Sequence, residues 1–282
     1  MLTDKKIGFI GGGNMAEALI SGLIHANATT PANIICSDVR EEAIQQMHDN
    51  FGVRVSLSNV EVAEQSDIII FATKPQILAS VLQETAHVLD RSKLIISIAA
   101  GVPLAAIAAG VKKELRLIRV MPNICAFVKE SATAIAAGKY VMDGDIQLAK
   151  AIFDSVGVSV FIKENILMDA FTGLSGSGPA YFFMIIDAMA DAGVKMGLSR
   201  KDSLLLSTQT MLGSAKLLLE TKEHPGQLKD KVTSPGGTSI AGIHTLEQGG
   251  LRTTIMDAVE AATNRSRELG EMTIKNFLEE EH

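Results

Sequence analysis

An apolar, β-prone run, KIGFI at residues 6–10, leads without a linker into GGGNMA at residues 11–16. Gly11, Gly13 and Ala16 stand in the spacing G-x-G-x-x-A, and Asn14 to Ala26 reads as a helix. Few folds accommodate that join. A strand must end, the chain must turn tightly at the first glycine, and a helix must begin with its N-terminal amides facing whatever approaches the second. Small Ala16 lets the helix pack close to the strand. The pattern describes a dinucleotide pyrophosphate site, with Gly11, Gly13, Asn14, Met15 and Ala16 as its candidate residues.

The same alternation continues. NIICS is followed by a helical stretch from Glu41 to Phe51, DIIIFA by one from Ile77 to Val88, and LIISIA closes the series. Further strands are expected at LRLIRV, TAIAA and VSVFI, with a helix from Asp143 to Ser155. After Phe161 the β-rich runs cease and every segment reads as helix. The expectation is an α/β chain. Residues 1–163 are expected to form a Rossmann-type, doubly wound, mostly parallel sheet that binds NAD(P), and residues 164–282 an all-α second domain.

A chain of 282 residues favours two domains over one. A formal charge of -6, with no basic stripe, argues against nucleic acid as a partner. Cys36 and Cys125 are too few for a disulfide framework, and no His or Cys spacing suggests a metal, which fits a cytoplasmic enzyme without one. The N-terminus enters the strand too soon for a signal peptide. One uncharged run, Leu94 to Val111, approaches a membrane span in length, but Gly101 and Pro103 interrupt it. Strand, turn and short helix explain it better, so no membrane is expected. Tyr181 to Leu198 is apolar around most of its circumference, which suits a helix packed between subunits of a homo-oligomer.

Chemistry-bearing residues fall at the ends of the strands. Asp38 follows the second strand where a carboxylate would accept a ribose diol, favouring NADH, while Arg40 and Ser37 could meet a 2′-phosphate, favouring NADPH. The choice stays open at this point. Ala72, Thr73, Lys74 and Pro75 end the next strand, with Ala100, Gly101 and Asn123 at later ones. In the second half, two Gly-rich loops precede helices: GLSGSGPAY at 173–181 and SPGGTS at 234–239. Successive amides at Gly236, Gly237, Thr238 and Ser239 can form a nest at a helix N-terminus, suited to a small carboxylate.

Taken together, IGFIGGGNMAEAL, FATKPQ, SIAAGV, MPN, GLSGSGPAYFF, MADAGVKMGL and HPGQLKDKVTSPGGTSIAGIHTLEQGG resemble the Δ1-pyrroline-5-carboxylate reductase family from end to end. The resemblance implies NAD(P)H-dependent reduction of pyrroline-5-carboxylate to L-proline, the last step of proline biosynthesis. It also implies a helical domain that interlocks with a partner in a dimer, sometimes assembled into a decamer. By the same resemblance Ser234, Gly237 and Thr238 bind the substrate carboxylate, Asn59 and Lys74 line the cofactor pocket, and Asn123 and Ser177 lie nearer the nicotinamide. Where the family usually has Thr to hydrogen-bond the ring nitrogen, this chain has Ser239, which keeps the hydroxyl and loses the β-methyl.

An iminium substrate can arrive protonated, so no strong general base is required and Ser239 is the candidate catalytic residue. Three other readings compete, a related imine reductase among them. A β-hydroxyacid dehydrogenase would want a Lys on the helix after GSGPAY, where this chain has Phe182, Phe183, Met184 and Ile185. A non-catalytic dinucleotide sensor would leave SPGGTS without a task.

Overall fold

A computed structural model describes residues 2–163 and 166–279. The first strand, β1 (Ile7–Ile10), runs into α1 (Asn14–His25). Then follow β2 (Ile34–Ser37), α2 (Glu41–Phe51), β3 (Arg54–Ser56), α3 (Asn59–Glu64), β4 (Ile68–Phe71), α4 (Pro75–Thr85), β5 (Leu94–Ser97) and α5 (Leu104–Val111). Strand β6 (Arg116–Met121), a 3-10 turn (Ile124–Val128), β7 (Ser131–Ala137), α6 (Asp143–Phe153) and β8 (Gly157–Phe161) complete the sheet.

The eight strands lie in the order β3-β2-β1-β4-β5-β6-β7-β8. All neighbouring pairs are parallel except β6 with β7. Because helices cover both faces, the central strands are apolar at consecutive positions rather than alternate ones, as IIIF of β4 and LIIS of β5 show. The central strands β1, β2, β4, β5 and β6 divide their side chains between two cores. Ile68 and Ile70 join Leu19, Leu23 and Phe153 on one face, while Ile69 and Phe71 join Val62, Leu82 and Ile107 on the other. The uncharged run from Leu94 to Val111 is therefore β5, a turn and α5, and among the described residues no helix is long and apolar enough to cross a membrane.

Beyond the sheet come α7 (Ile166–Phe171), a π-helical turn (Thr172–Gly176), α8 (Gly178–Lys195), α9 (Arg200–Thr221), α10 (Pro225–Lys231), α11 (Thr238–Gln248) and α12 (Leu251–Glu279). The chain forms two compact units, Met1–Gly176 with Ala261–His282, and Ser177–Glu260. The domain division expected at 163/164, whose second side begins outside the described residues, marks where strand content ends. Compactness divides the chain differently for two reasons. Met168 of α7 packs on Ala134 and Ala136 of β7, which holds α7 in the first unit. The second half of α12 does the same: Ile274 packs on the core beneath α4 and α5, and Ser266 donates to Asp169 Oδ1 at 2.8 Å.

Within the second unit, α8 and α9 pair along their lengths, and the Tyr181 hydroxyl donates to the Ala258 carbonyl at 3.4 Å. Much of its apolar surface is uncovered in the single chain. Phe182, Phe183 and Met184 of α8 are 56%, 61% and 78% exposed.

Two elements were not foreseen: β3 and α3, in the stretch Arg54 to Glu64. One motif was misread, since GLSGSGPAY is no loop. Its first residues continue α7 as the π turn, and α8 begins at Gly178.

Candidate active site

The parallel strands β1, β2, β4, β5 and β6 end at one edge of the sheet, so the residues that follow them share that edge. At its centre is the turn after β1. Gly11 adopts φ +104°, closed to most side chains, and a Cβ there would lie 2.8 Å from the Ala72 carbonyl oxygen. Gly13 is different: at φ -84° it could be another residue, and a Cβ on it would meet nothing within 4 Å. The open space lies where a ligand would approach. No side chain caps α1, so the amides of Asn14, Met15 and Ala16 keep their donors for that ligand.

Around this turn the expected residues gather. Asp38 Oδ2 accepts the Gly12 N–H at 2.9 Å, and Oδ1 accepts Arg40 Nε at 3.0 Å. Burial pushes the Asp38 carboxyl up, but hydrogen bonds from the Arg40 side chain, the Arg40 amide and the Gly12 amide, with the Arg40 charge, hold it below its ordinary value. Ser37, fully buried, donates to Asn59 Oδ1 at 2.8 Å. Ala72 and Thr73 abut Gly11, and exposed Lys74 precedes Pro75, the first residue of α4. Thr73 Oγ1 is buried and finds no hydrogen-bond partner among the described residues. Ala100 and Gly101 follow β5.

Unforeseen is how fully Asn123 is committed to the protein. Its Oδ1 accepts the Cys125 amide at 3.1 Å, and its Nδ2 donates to the Ser175 carbonyl at 3.1 Å and hydroxyl at 3.2 Å. It fastens the π turn to the end of β6. Ser175, inside a quoted motif but given no role, is the partner sequence reasoning missed. A π turn at such a place is a recurrent mark of functional sites.

In the second unit, Ser234, Pro235, Gly236 and Gly237 form a β-turn closed by Gly237 N–H to the Ser234 carbonyl at 3.0 Å. Gly236 sits at φ +66°, as the third position of a type II turn demands. The expected four-amide nest is thus corrected, because the Gly237 amide is used to close the turn. Thr238 and Ser239, the first residues of α11, retain theirs. A Cβ on Gly237 would come within 2.3 Å of Ser234 Oγ. Ser177 stands just before α8 without capping it.

These features fit a dinucleotide: uncapped helix amides, clear space at Gly13 and an orphaned hydroxyl at Thr73. Residues 6–101 match a family described as NADP oxidoreductase, coenzyme F420-dependent. Residues 165–269 match one described as pyrroline-5-carboxylate reductase dimerisation. A pyrroline-5-carboxylate reductase of Methanosarcina acetivorans is 50% identical over 95% of this chain and 99% of its own. The chain belongs to the pyrroline-5-carboxylate reductases. Two solved structures agree. The Coxiella burnetii reductase superposes with a TM-score of 0.90 at 36% identity, over 94% of this chain and 98% of that one. The Plasmodium falciparum enzyme, solved with NADP bound, gives 0.85 at 37% identity over 95% and 98%.

The reductase is accordingly an oxidoreductase that converts pyrroline-5-carboxylate to proline with NAD(P)H, and it carries a dimerisation domain. The fold class read from the sequence holds as well. Neither the β-hydroxyacid dehydrogenase reading nor the sensor reading is favoured by these relatives.

Proposed function

We propose that the SPGG turn and the start of α11 hold the carboxylate of the pyrroline substrate, and that Ser239 serves its ring nitrogen. The observation that carries this reading is the pairing of a rigid type II turn with an uncapped helix N-terminus. The Thr238 and Ser239 amides open that helix uncapped, the Ser234 hydroxyl lies beside its N-cap Gly237, and a helix N-terminus favours an anion. Bound NAD(P)H supplies the hydride. The protein's own task is orientation: fixing the carboxylate fixes the ring, and a fixed ring presents one face of its C=N bond. An iminium substrate already carries the proton on its ring nitrogen, and the Ser239 hydroxyl oxygen accepts that N–H and steadies it while the hydride reaches carbon.

At the other end, Gly11, Gly13, Asn14, Met15 and Ala16 bind the pyrophosphate, with Ser37, Asp38, Arg40 and Asn59 toward the adenosine. Ala72, Thr73, Lys74, Pro75, Ala100, Gly101 and Asn123 line the edge toward the nicotinamide, and Ser177 joins the substrate residues. Residues 1–163 act as the coenzyme part and 164–282 as the helical part. The exposed apolar face of α8 supports a homodimer, with dimers assembling into a decamer, in the cytoplasm.

The test is a pair of variants. Ser239→Ala is expected to lower kcat by about a hundredfold while leaving the coenzyme Kd unchanged. Gly237→Ala, whose methyl displaces the Ser234 hydroxyl, is expected to raise KM for the substrate with kcat less affected. Equal losses of turnover and coenzyme binding in Ser239→Ala would overturn its role.

A further inference from the structure

The end of β2 is where an adenosine ribose meets a fold of this kind, and its polar groups here are already paired in one particular way. Asp38 points its carboxylate at the glycine turn and is held there by the Gly12 amide. Arg40, whose cation could have met a 2′-phosphate, is spent on the same carboxylate: its amide reaches Oδ1 at 3.0 Å, Nε reaches Oδ1 at 3.0 Å and Nη2 reaches Oδ2 at 3.3 Å. The two remaining polar groups lead to a second acid. Ser37 donates to Asn59, and Asn59 Nδ2 donates to Glu84 Oε2 at 2.8 Å. Glu84 belongs to no motif that the sequence singles out.

Two carboxylates and one guanidinium leave this corner with a net negative charge. A ribose diol brings two donors to a carboxylate that is pinned and ionised. A 2′-phosphate brings further negative charge into contact with Asp38, and like charges brought together disfavour a partner strongly. Lys74 does not offset this, because it stands at the start of α4 and Glu84 near that helix's far end, about 15 Å away along its axis.

We propose that this reductase selects NADH over NADPH, with Asp38 as the deciding residue and Glu84 reinforcing it through Asn59. The proposal rests on the glycine turn being the dinucleotide site. The experiment is a fluorescence titration of the full-length protein with NADH and with NADPH, giving a Kd for each independently of turnover. Wild type is expected to bind NADH at least about tenfold more tightly, the size of one modest charge effect. Asp38→Ser frees Arg40, so NADH weakens, NADPH tightens and the ratio inverts. Adding Arg40→Ala removes the NADPH gain. Asp38→Asn, which keeps the side-chain shape and drops the charge, is expected to narrow the ratio even if the serine variant folds poorly. Glu84→Gln, at an exposed position, narrows it by a smaller factor.

Wild type that binds NADPH as tightly as NADH, or Asp38 variants with an unchanged ratio, would overturn the selection while leaving the dinucleotide site standing. Failure of wild type to bind either coenzyme would remove both.

Discussion

Two glycines two residues apart are expected to fail in opposite ways. At Gly11, alanine must adopt φ +104° and place its methyl 2.8 Å from the Ala72 oxygen and 2.9 Å from its carbonyl carbon. Backbone strain of this kind costs about 1–3 kcal/mol, and overpacking against backbone that cannot rotate away costs a further ~1–3 kcal/mol. Gly11→Ala should therefore lose on the order of 3 kcal/mol of stability. At Gly13 the backbone suits any residue and the methyl meets no protein atom. The cost there is at most about 1 kcal/mol, from exchanging glycine for alanine at a helix N-cap. Its methyl instead fills the space above the α1 amides, so coenzyme affinity should drop by tenfold or more, about 1.4 kcal/mol or above. Urea unfolding of both variants, alongside a coenzyme titration of each, separates the two effects. Gly13→Ala that binds coenzyme like wild type, or that unfolds as readily as Gly11→Ala, would refute the placement of the pyrophosphate at this turn.

Sedimentation of the purified protein should report an assembly of 30.0 kDa chains, a dimer or a multiple of it, because the apolar face of α8 is uncovered in one chain; a stable monomer would contradict this. Burial, with a smaller contribution from the Asp38 charge, pushes the Cys36 thiol up to about 12. The unfolded chain releases that proton at the ordinary thiol value while the folded chain keeps it, so this group lowers stability as pH rises between the two. Near neutral pH a thiol reagent should modify half-exposed Cys125 and spare Cys36 until denaturant is added; rapid modification of both would mean that the β2 core is open.

What could be read in advance follows from how far each signal travels along the chain. Strands such as IIIF and helices such as Glu41–Phe51 announce themselves within a few residues, and the latter has the bounds expected of it. Strand β3 did not, because RVS offers one apolar side chain and is half exposed, a pattern shared with many loops. GLSGSG reads as a loop since Gly and Ser usually interrupt helices. Its π turn is held by the Thr172 hydroxyl, which donates to the Met168 carbonyl at 2.9 Å, and by the side-chain amide of Asn123, which reaches Ser175 from 52 residues away along the chain. The glycine turn was legible down to single residues, as Gly11 answers a steric demand of the turn and Gly13 leaves open the space in front of the helix amides. Glu84 was not, since its link to Asn59 depends on α3 lying against α4. The return of α12 to the first unit leaves no local trace either.

That return has a consequence for how the chain is made. The strands of the coenzyme unit are complete at Phe161, yet α12 returns to the turn at Gly101, where a Cβ added to Gly101 would lie 3.5 Å from Leu269 Cβ and one added to Gly270 would lie 3.6 Å from the Gly101 carbonyl oxygen. A chain emerging from the ribosome can assemble its sheet early, but the turn that carries Ala100 and Gly101 stays bare until α12 is released. The first unit to begin folding is thus completed by residues made after the whole of the second, and a message truncated after α11 would yield a sheet missing part of its cover.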